Sequence, residues 1–318
     1  MQKLIALLAF MCFCVVGLFA QQQPLNTQFM YNKLNYNPGF AGAKEVTCLT
    51  AIYRNQWMGL EGSPTYQAFN ANIPLSNQRV GVGMNITRHT VGITENLSAN
   101  GSYAYRVRAG RGDLGLGIQA SVMSFTQNFR DDRLFGTQSI NMDPSVPGTQ
   151  EQKFLFNFGA GFYYKTNNFF IGASVPQLLN NSLEFDDNAS LVSRQFQHVY
   201  FMSGYAFALN DKVAIQPQVL LRYVQGAPID ADINLSALFS EVFIAGVTYR
   251  LGGDKETAAG ESVDLILAVY PSDNLLFGLS YDFTLTDIRN YSSGSIEAVV
   301  QYCIGKSEGD EYINPRFF

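Results

Sequence analysis

From Glu45 onward the chain alternates apolar and polar residues with period two, in short runs separated by turn-forming residues. That is the signature of strands with two unlike faces. In the run 229–239, Ile229, Ala231, Ile233, Leu235, Ala237 and Phe239 share one face, while Asp230, Asp232, Asn234 and Ser236 share the other. In 274–284, Leu275, Phe277, Leu279, Tyr281 and Phe283 oppose Gly278, Ser280 and Asp282. In 153–165, Phe154, Phe156, Phe158, Ala160, Phe162 and Tyr164 form a wholly apolar face. In 295–304, Ile296, Ala298, Val300, Tyr302 and Ile304 oppose Glu297, Gln301 and Cys303. Such runs fall near 45–57, 64–74, 79–89, 95–108, 113–126, 153–165, 168–176, 195–208, 212–225, 228–239, 241–251, 261–270, 274–284 and 291–304, which predicts about fourteen strands.

The links between runs differ on the two sides. After every second strand the link is tight and polar, as at 76–79, 109–113, 166–168, 209–211 and 271–274, in residues that favour turns. The alternate links are longer: 127–152, 177–194, 252–260 and 285–290, with Gly226–Ala227 a short exception. An even number of strands, each long enough to cross a bilayer, with short turns on one side and long loops on the other, is the pattern of an outer-membrane barrel. The fold class expected is all-β: a closed, transmembrane, antiparallel β-barrel of about fourteen strands, with short periplasmic turns and longer extracellular loops. Pro217 lies inside one run and predicts a bulge, because proline cannot donate to a paired neighbour.

Composition sharpens this picture. Only 15% of residues are charged, while 25 Phe and 17 Tyr are present; soluble domains carry more charge, and barrel rims carry aromatic girdles. The net charge of −5 argues against a nucleic-acid partner. Residues 1–20, with Lys3 ahead of an apolar core that ends at Ala20, read as a cleaved signal peptide for export. An uncleaved anchor is the alternative, although the run is short for a span. The remaining chain reads as one domain. Residues 45–304 form the barrel, with the segment 21–44 and the tail 305–318 outside its wall on the periplasmic side.

Sites of chemistry are sparse. Asp230, Asp232, Asn234 and Glu241 imitate part of a calcium loop, but its sixth place holds Leu235 instead of glycine, and a strand with inward polar residues accounts for them. Arg111–Gly112–Asp113 falls in a periplasmic turn, where an adhesion receptor has no access. His89 and His198 have no Ser or Asp suggestively beside them, so the chain is not expected to be an enzyme. It has no metal motif and no cofactor is expected. The inward charges are Arg54, Arg222, Arg250, Asp230, Asp232, Asp264, Asp282 and Glu297. They fit either a lumen filled by paired charges or a water-filled pore. Cys48 and Cys303 lie on the first and last strands, which must meet when a barrel closes. Both point inward on the alternation, which predicts a closure disulfide, with free thiols as the alternative.

Gln28-Phe29-Met30, Asn37-Pro38, Ala41-Gly42, Tyr53-Arg54-Asn55-Gln56-Trp57, Gly62, Pro64 and Pro74, in that order, together with the closing Asn-Pro-Arg-Phe-Phe, resemble the PorP/SprF family. Its members are outer-membrane proteins of the type IX secretion and gliding-motility systems of Bacteroidetes. The resemblance implies a non-enzymatic barrel that supports secretion and surface attachment of exported proteins such as adhesins with C-terminal sorting domains. It also implies coupling to periplasmic ring and peptidoglycan-binding components. A channel for passive or substrate-specific diffusion is the alternative. Asn37, Pro38, Gly42, Pro315, Arg316, Phe317 and Phe318 are then candidate periplasmic contacts. Asp131, Asp132, Asp186 and Asp187, in the outer loops, are candidate contacts for an exported partner. On the alternation Arg54 and Gln56 face the lumen, while Tyr53 and Trp57 face lipid as structural residues of the girdle.

Overall fold

The computed structural model describes residues 23–75, 78–131, 134, 149–185, 193–252 and 260–304. The first seven strands are β1 (Thr47–Asn55), β2 (Thr65–Leu75), β3 (Val80–Val91), β4 (Thr94–Ala109), β5 (Gly112–Asn128), β6 (Gln150–Lys165) and β7 (Phe169–Val175). β8 runs over His198–Tyr205 and continues past Ala206 as Phe207–Asn210. The last six are β9 (Val213–Val224), β10 (Asp230–Phe239), β11 (Phe243–Leu251), β12 (Ser262–Ser272), β13 (Leu275–Thr284) and β14 (Ser295–Ile304). Each pairs antiparallel with the next in sequence, and β14 pairs with β1, which closes a fourteen-strand barrel.

Closure satisfies the wall. Hydrocarbon offers backbone N–H and C=O groups no partner, so a spanning sheet can leave no edge unpaired. The seam between β1 and β14 is paired from Thr47 opposite Ile304 to Asn55 opposite Ile296. Cys48 and Cys303 stand directly opposite within it and are joined by a disulfide, with S–S 2.06 Å.

The alternation resolves into an outer and an inner face. Phe156, Leu267 and Ile233 are 64%, 65% and 48% exposed, while Asp232, Asp264 and Glu297 are 0% exposed. The outer face is therefore the apolar one and the buried polar residues face the lumen. The wall is uneven in height. β5 has 17 residues and β7 has 7, so β4–β6 rise above the rest at the end carrying the long loops. Strands of that length exceed the ~9–11 residues that a tilted crossing needs.

Two local expectations are corrected. The β1 strand ends at Asn55, so alternation does not carry on to Gln56 and Trp57. Trp57 lies in the following turn with φ 55°, its N–H donating to the Ser295 hydroxyl, and it is only partly exposed. It therefore stands in a turn beyond the end of β1 and not on the outer face of the strand. Pro217 does not insert an extra residue. Instead the pairing of β8 with β9 lapses at Tyr205–Ala206 and resumes in the same register from Phe207 opposite Ile215. The Ala206 N–H bonds the Asn168 carbonyl, continuing the ladder on the β7 side. The lapse falls opposite Pro217, where proline has no N–H to offer.

The disulfide bridges positions 255 apart, so in the chain-entropy view it removes about 5–6 kcal/mol of unfolded-state freedom. Replacing both Cys48 and Cys303 by Ser is expected to lower the temperature at which the barrel loses its compact migration in semi-native electrophoresis. In the parent chain neither thiol is expected to be alkylated before reduction.

Candidate functional site

The segment before β1 does not lie beneath the barrel, as expected from the sequence, but inside it. Every residue from Leu25 to Ala43 is buried except Met30, Tyr31 and Asn35, which are partly so. The segment threads the lumen through three short helical turns, Phe29–Tyr31, Lys33–Tyr36 and Pro38–Phe40. It starts at the loop end, where the Tyr200 hydroxyl donates to Gln23 Oε1 at 2.6 Å. It leaves at the turn end through Gly42, whose N–H donates to Asn72 Oδ1.

One anchor is ionic. The Glu297 carboxylate accepts the backbone N–H of Thr27 at 3.0 Å and that of Gln28 at 2.8 Å. The Thr27 hydroxyl donates to Asp282 at 2.8 Å and accepts from Arg54 Nη1 at 2.8 Å. Arg54 Nη2 in turn pairs with Asp282 at 2.6 Å. Asp232 holds Arg222 through two bonds of 3.1 and 3.3 Å and Arg250 Nε at 2.8 Å. Arg250 reaches on to Asp264 at 3.8 Å and Asp282 at 3.9 Å. Three guanidinium groups thus meet four carboxylates in one buried network, and Thr27 is wired into its centre. Charges taken out of water persist only when paired and hydrogen-bonded.

The second anchor is packing. Phe29, Leu34, Tyr36 and Phe40 of the segment form one apolar cluster with Tyr163, Phe170, Tyr200, Met202 and Leu220 of the wall. Phe40 meets Tyr163 edge-on at 5.1 Å. Lys33 Nζ lies 3.8 Å above the Phe170 ring, a cation–π contact that partly replaces water. Burial, and then Lys44 and Lys165, push the Lys33 ammonium well below its ordinary pKa.

Glycines on the inner face of the wall make room. A Cβ on Gly117 would lie 2.3 Å from the Pro38 carbonyl carbon, and one on Gly81 would lie 2.1 Å from the Ala41 carbonyl oxygen. Gly115 meets the Gly39 carbonyl oxygen in the same way, while Gly161 makes room for the Asn37 side chain. Backbone pressed against backbone at Gly81, Gly115 and Gly117 demands residues without side chains.

The loop after β7 bends in from the other end. Leu183 packs on Phe125 and Leu155, and Phe185 stacks on Phe125. Gln177 meets Gln23, so loop and segment touch. Between them lies a cavity of about 440 Å³ bordered by Asn96, Asn100, Gln127, Gln195 and both histidines. Among the described residues no Asp, Glu, Lys, Arg or Cys lines it.

The candidate residues are placed as follows. Arg54, Arg222, Arg250, Asp232, Asp264, Asp282 and Glu297 converge in the lumen, while Asp230 stays half-buried at its rim. The pairing of Asp232 with two arginines leaves it to them and not to a calcium ion, and no metal-ligating cluster occurs among the described residues. Asn37, Pro38 and Gly42 are not surface contacts: they are buried inside the barrel, Asn37 donating to the Phe162 carbonyl at 2.8 Å. Asp131 sits partly exposed at the base of its loop. Asp132, Asp186, Asp187, Pro315, Arg316, Phe317 and Phe318 lie outside the described residues.

A closed barrel with an apolar outer belt and a polar interior defines the class: an outer-membrane barrel protein. The family model described as type IX secretion system membrane protein PorP/SprF matches residues 18–302, and the chain belongs to that family. Comparison with curated proteins finds no match. Among solved structures, the monoaromatic hydrocarbon channel CymD is similar at 12% identity and a TM-score of 0.50, over 88% of this chain and 92% of that one. The Ralstonia pickettii toluene transporter TbuX gives 12% identity and a TM-score of 0.46, over 85% and 92%. These likenesses are of fold.

Two outcomes test the seating of the segment. Gly117→Val should expose Lys33 to trypsin, with cleavage of the folded barrel after Lys33. Gly101→Val, where an added Cβ meets nothing within 4 Å, should leave that bond as resistant as in the parent chain. Glu297→Ala strips two backbone N–H groups of their acceptor and Arg54 of the farther of its two carboxylates and should cost about 3 kcal/mol of stability, read as a lowered melting temperature.

Proposed function

We propose that this barrel acts in type IX secretion as a plugged, non-enzymatic scaffold that supports export and surface attachment of secreted proteins, adhesins among them, and couples to the periplasmic side of the machinery. The observation that carries this reading is the segment 23–43, packed in the lumen and hydrogen-bonded to the buried ion-pair network of the wall. A conduit that let solutes diffuse would have to break a buried network of seven charged side chains, whereas a docking scaffold gains from the rigidity that the network confers. The loops joining β5 to β6 and β7 to β8 are the surfaces offered to an exported partner, with Asp131, Asp132, Asp186 and Asp187 as its contacts. Export through a cleaved signal peptide and an origin in Bacteroidetes belong to the same reading, as does service to gliding motility.

The channel reading has one observation in its favour, the uncharged cavity above the plug. Purification from outer membranes in mild detergent, with mass spectrometry, separates the two. The scaffold reading expects a large surface protein or periplasmic ring proteins to co-purify, and it expects near-silent planar bilayers. A barrel that purifies alone and conducts steadily would overturn it in favour of the channel.

A further inference from the structure

The turn end of the lumen carries a buried charge with no counterpart. Arg106, near the end of β4, points inward and is 6% exposed. Its Nη1 is buried and has no hydrogen-bond partner. Among the described residues no carboxylate stands within ion-pair distance of it. Nearby Asp113 pairs instead with Arg108 at 3.6 Å, and Glu45 with Lys165 at 3.9 Å. Arg106 borders a cavity of about 330 Å³ below Gly42 and Ala43, to which Arg79, Arg108 and Lys165 also contribute. Four cations against two carboxylates leave this mouth positive. An unpaired buried guanidinium is costly, and its planar fork of donors matches a carboxylate.

We propose that the periplasmic mouth of the barrel is a carboxylate-binding site centred on Arg106, and that its occupant is the chain's own acidic tail, Glu308, Asp310 and Glu311. The tail continues from Ile304, which pairs with Thr47 at the same end of the barrel. Along the wall, β14 is separated from β4 by β1, β2 and β3. At about 4.8 Å per strand the distance is about 20 Å, while the stretch from Ile304 to Glu311, extended, reaches about 24 Å, enough to bring the acidic side chains to Arg106. Three acidic side chains within four positions complement the positive mouth.

The test uses the full chain in detergent, spin-labelled through Asn167→Cys, on the exposed turn beside Lys165, and Tyr312→Cys. The disulfide keeps Cys48 and Cys303 out of the labelling. Electron double resonance should give a narrow distance distribution between the labels. That narrow component should be lost in Arg106→Gln, in the tail variant Glu308→Gln, Asp310→Asn, Glu311→Gln, and in high salt. Heat-modifiable migration checks that Arg106→Gln still forms the barrel, and the tail variant alters nothing in the wall. A broad distribution in the parent chain would leave the site to a carboxylate of another molecule and overturn the assignment. A narrow one that survives both variants would overturn recognition through charge.

Discussion

The Glu297 carboxylate accepting two successive backbone N–H groups, from Thr27 and Gln28, is the contact on which the interior depends. A barrel wall solves its own hydrogen bonding strand by strand, but it says nothing of what fills the lumen. Here the wall supplies seven buried charged side chains, and their geometry is complete only with Thr27 in place. Its hydroxyl sits between Arg54 and Asp282, and its N–H sits on Glu297. Without the segment, Glu297 and Asp282 would lose donors while Asp264 and Asp282 faced each other across β12 and β13. Plug and wall are therefore one cooperative unit, because neither satisfies its polar groups alone.

That unit constrains assembly. The segment runs from the loop end at Gln23 to the turn end at Lys44 and then enters β1, the strand that forms one side of the closing seam. A chain that crosses the lumen and then becomes part of the wall is most simply placed before the wall closes. The β1–β14 pairing, with Arg54 directly opposite Glu297 and Cys48 directly opposite Cys303, then shuts the barrel around it. The same seam carries the covalent bond and two of the plug's polar anchors, so closing the sheet and fastening the plug are one event in space.

The wall was legible in the sequence because a barrel writes its two environments at a fixed period of two. Phe154, Phe156 and Phe158 outward and Asp232, Asn234 and Ser236 inward needed no further information. The plug was not legible by that rule. It has no regular strand or long helix, and its asparagines and glycines look like those of a surface segment. Its trace lay in the wall instead: Gly81 and Gly83, and Gly115 and Gly117, recur two apart on inward faces and meet plug atoms. A glycine pair at strand spacing marks a second segment at close approach. Trp57 was misplaced for a simpler reason, since alternation holds only while the strand lasts and β1 ends two residues earlier.

Charge is distributed along the lumen in layers, and this bears on how the two ends of the barrel communicate. Paired arginines and carboxylates hold the start of the plug, an uncharged cavity lies above it, and Lys33, Arg106 and Lys165 gather towards the turn end. The plug touches all three layers: Gln23 meets Gln177 of the inturned loop, Thr27 sits in the ionic network, and Gly42 borders the basic mouth. An element packed along most of its length that contacts both ends couples them chiefly as a body, although Asn35 borders the cavity. A partner that pulled on the inturned loop would act on the Gln23 contact first and on the ionic anchors next. The turn end would respond only once those anchors yielded. Any displacement carried by the plug from the loop end to the turn end would therefore have to strain the network around Glu297 first.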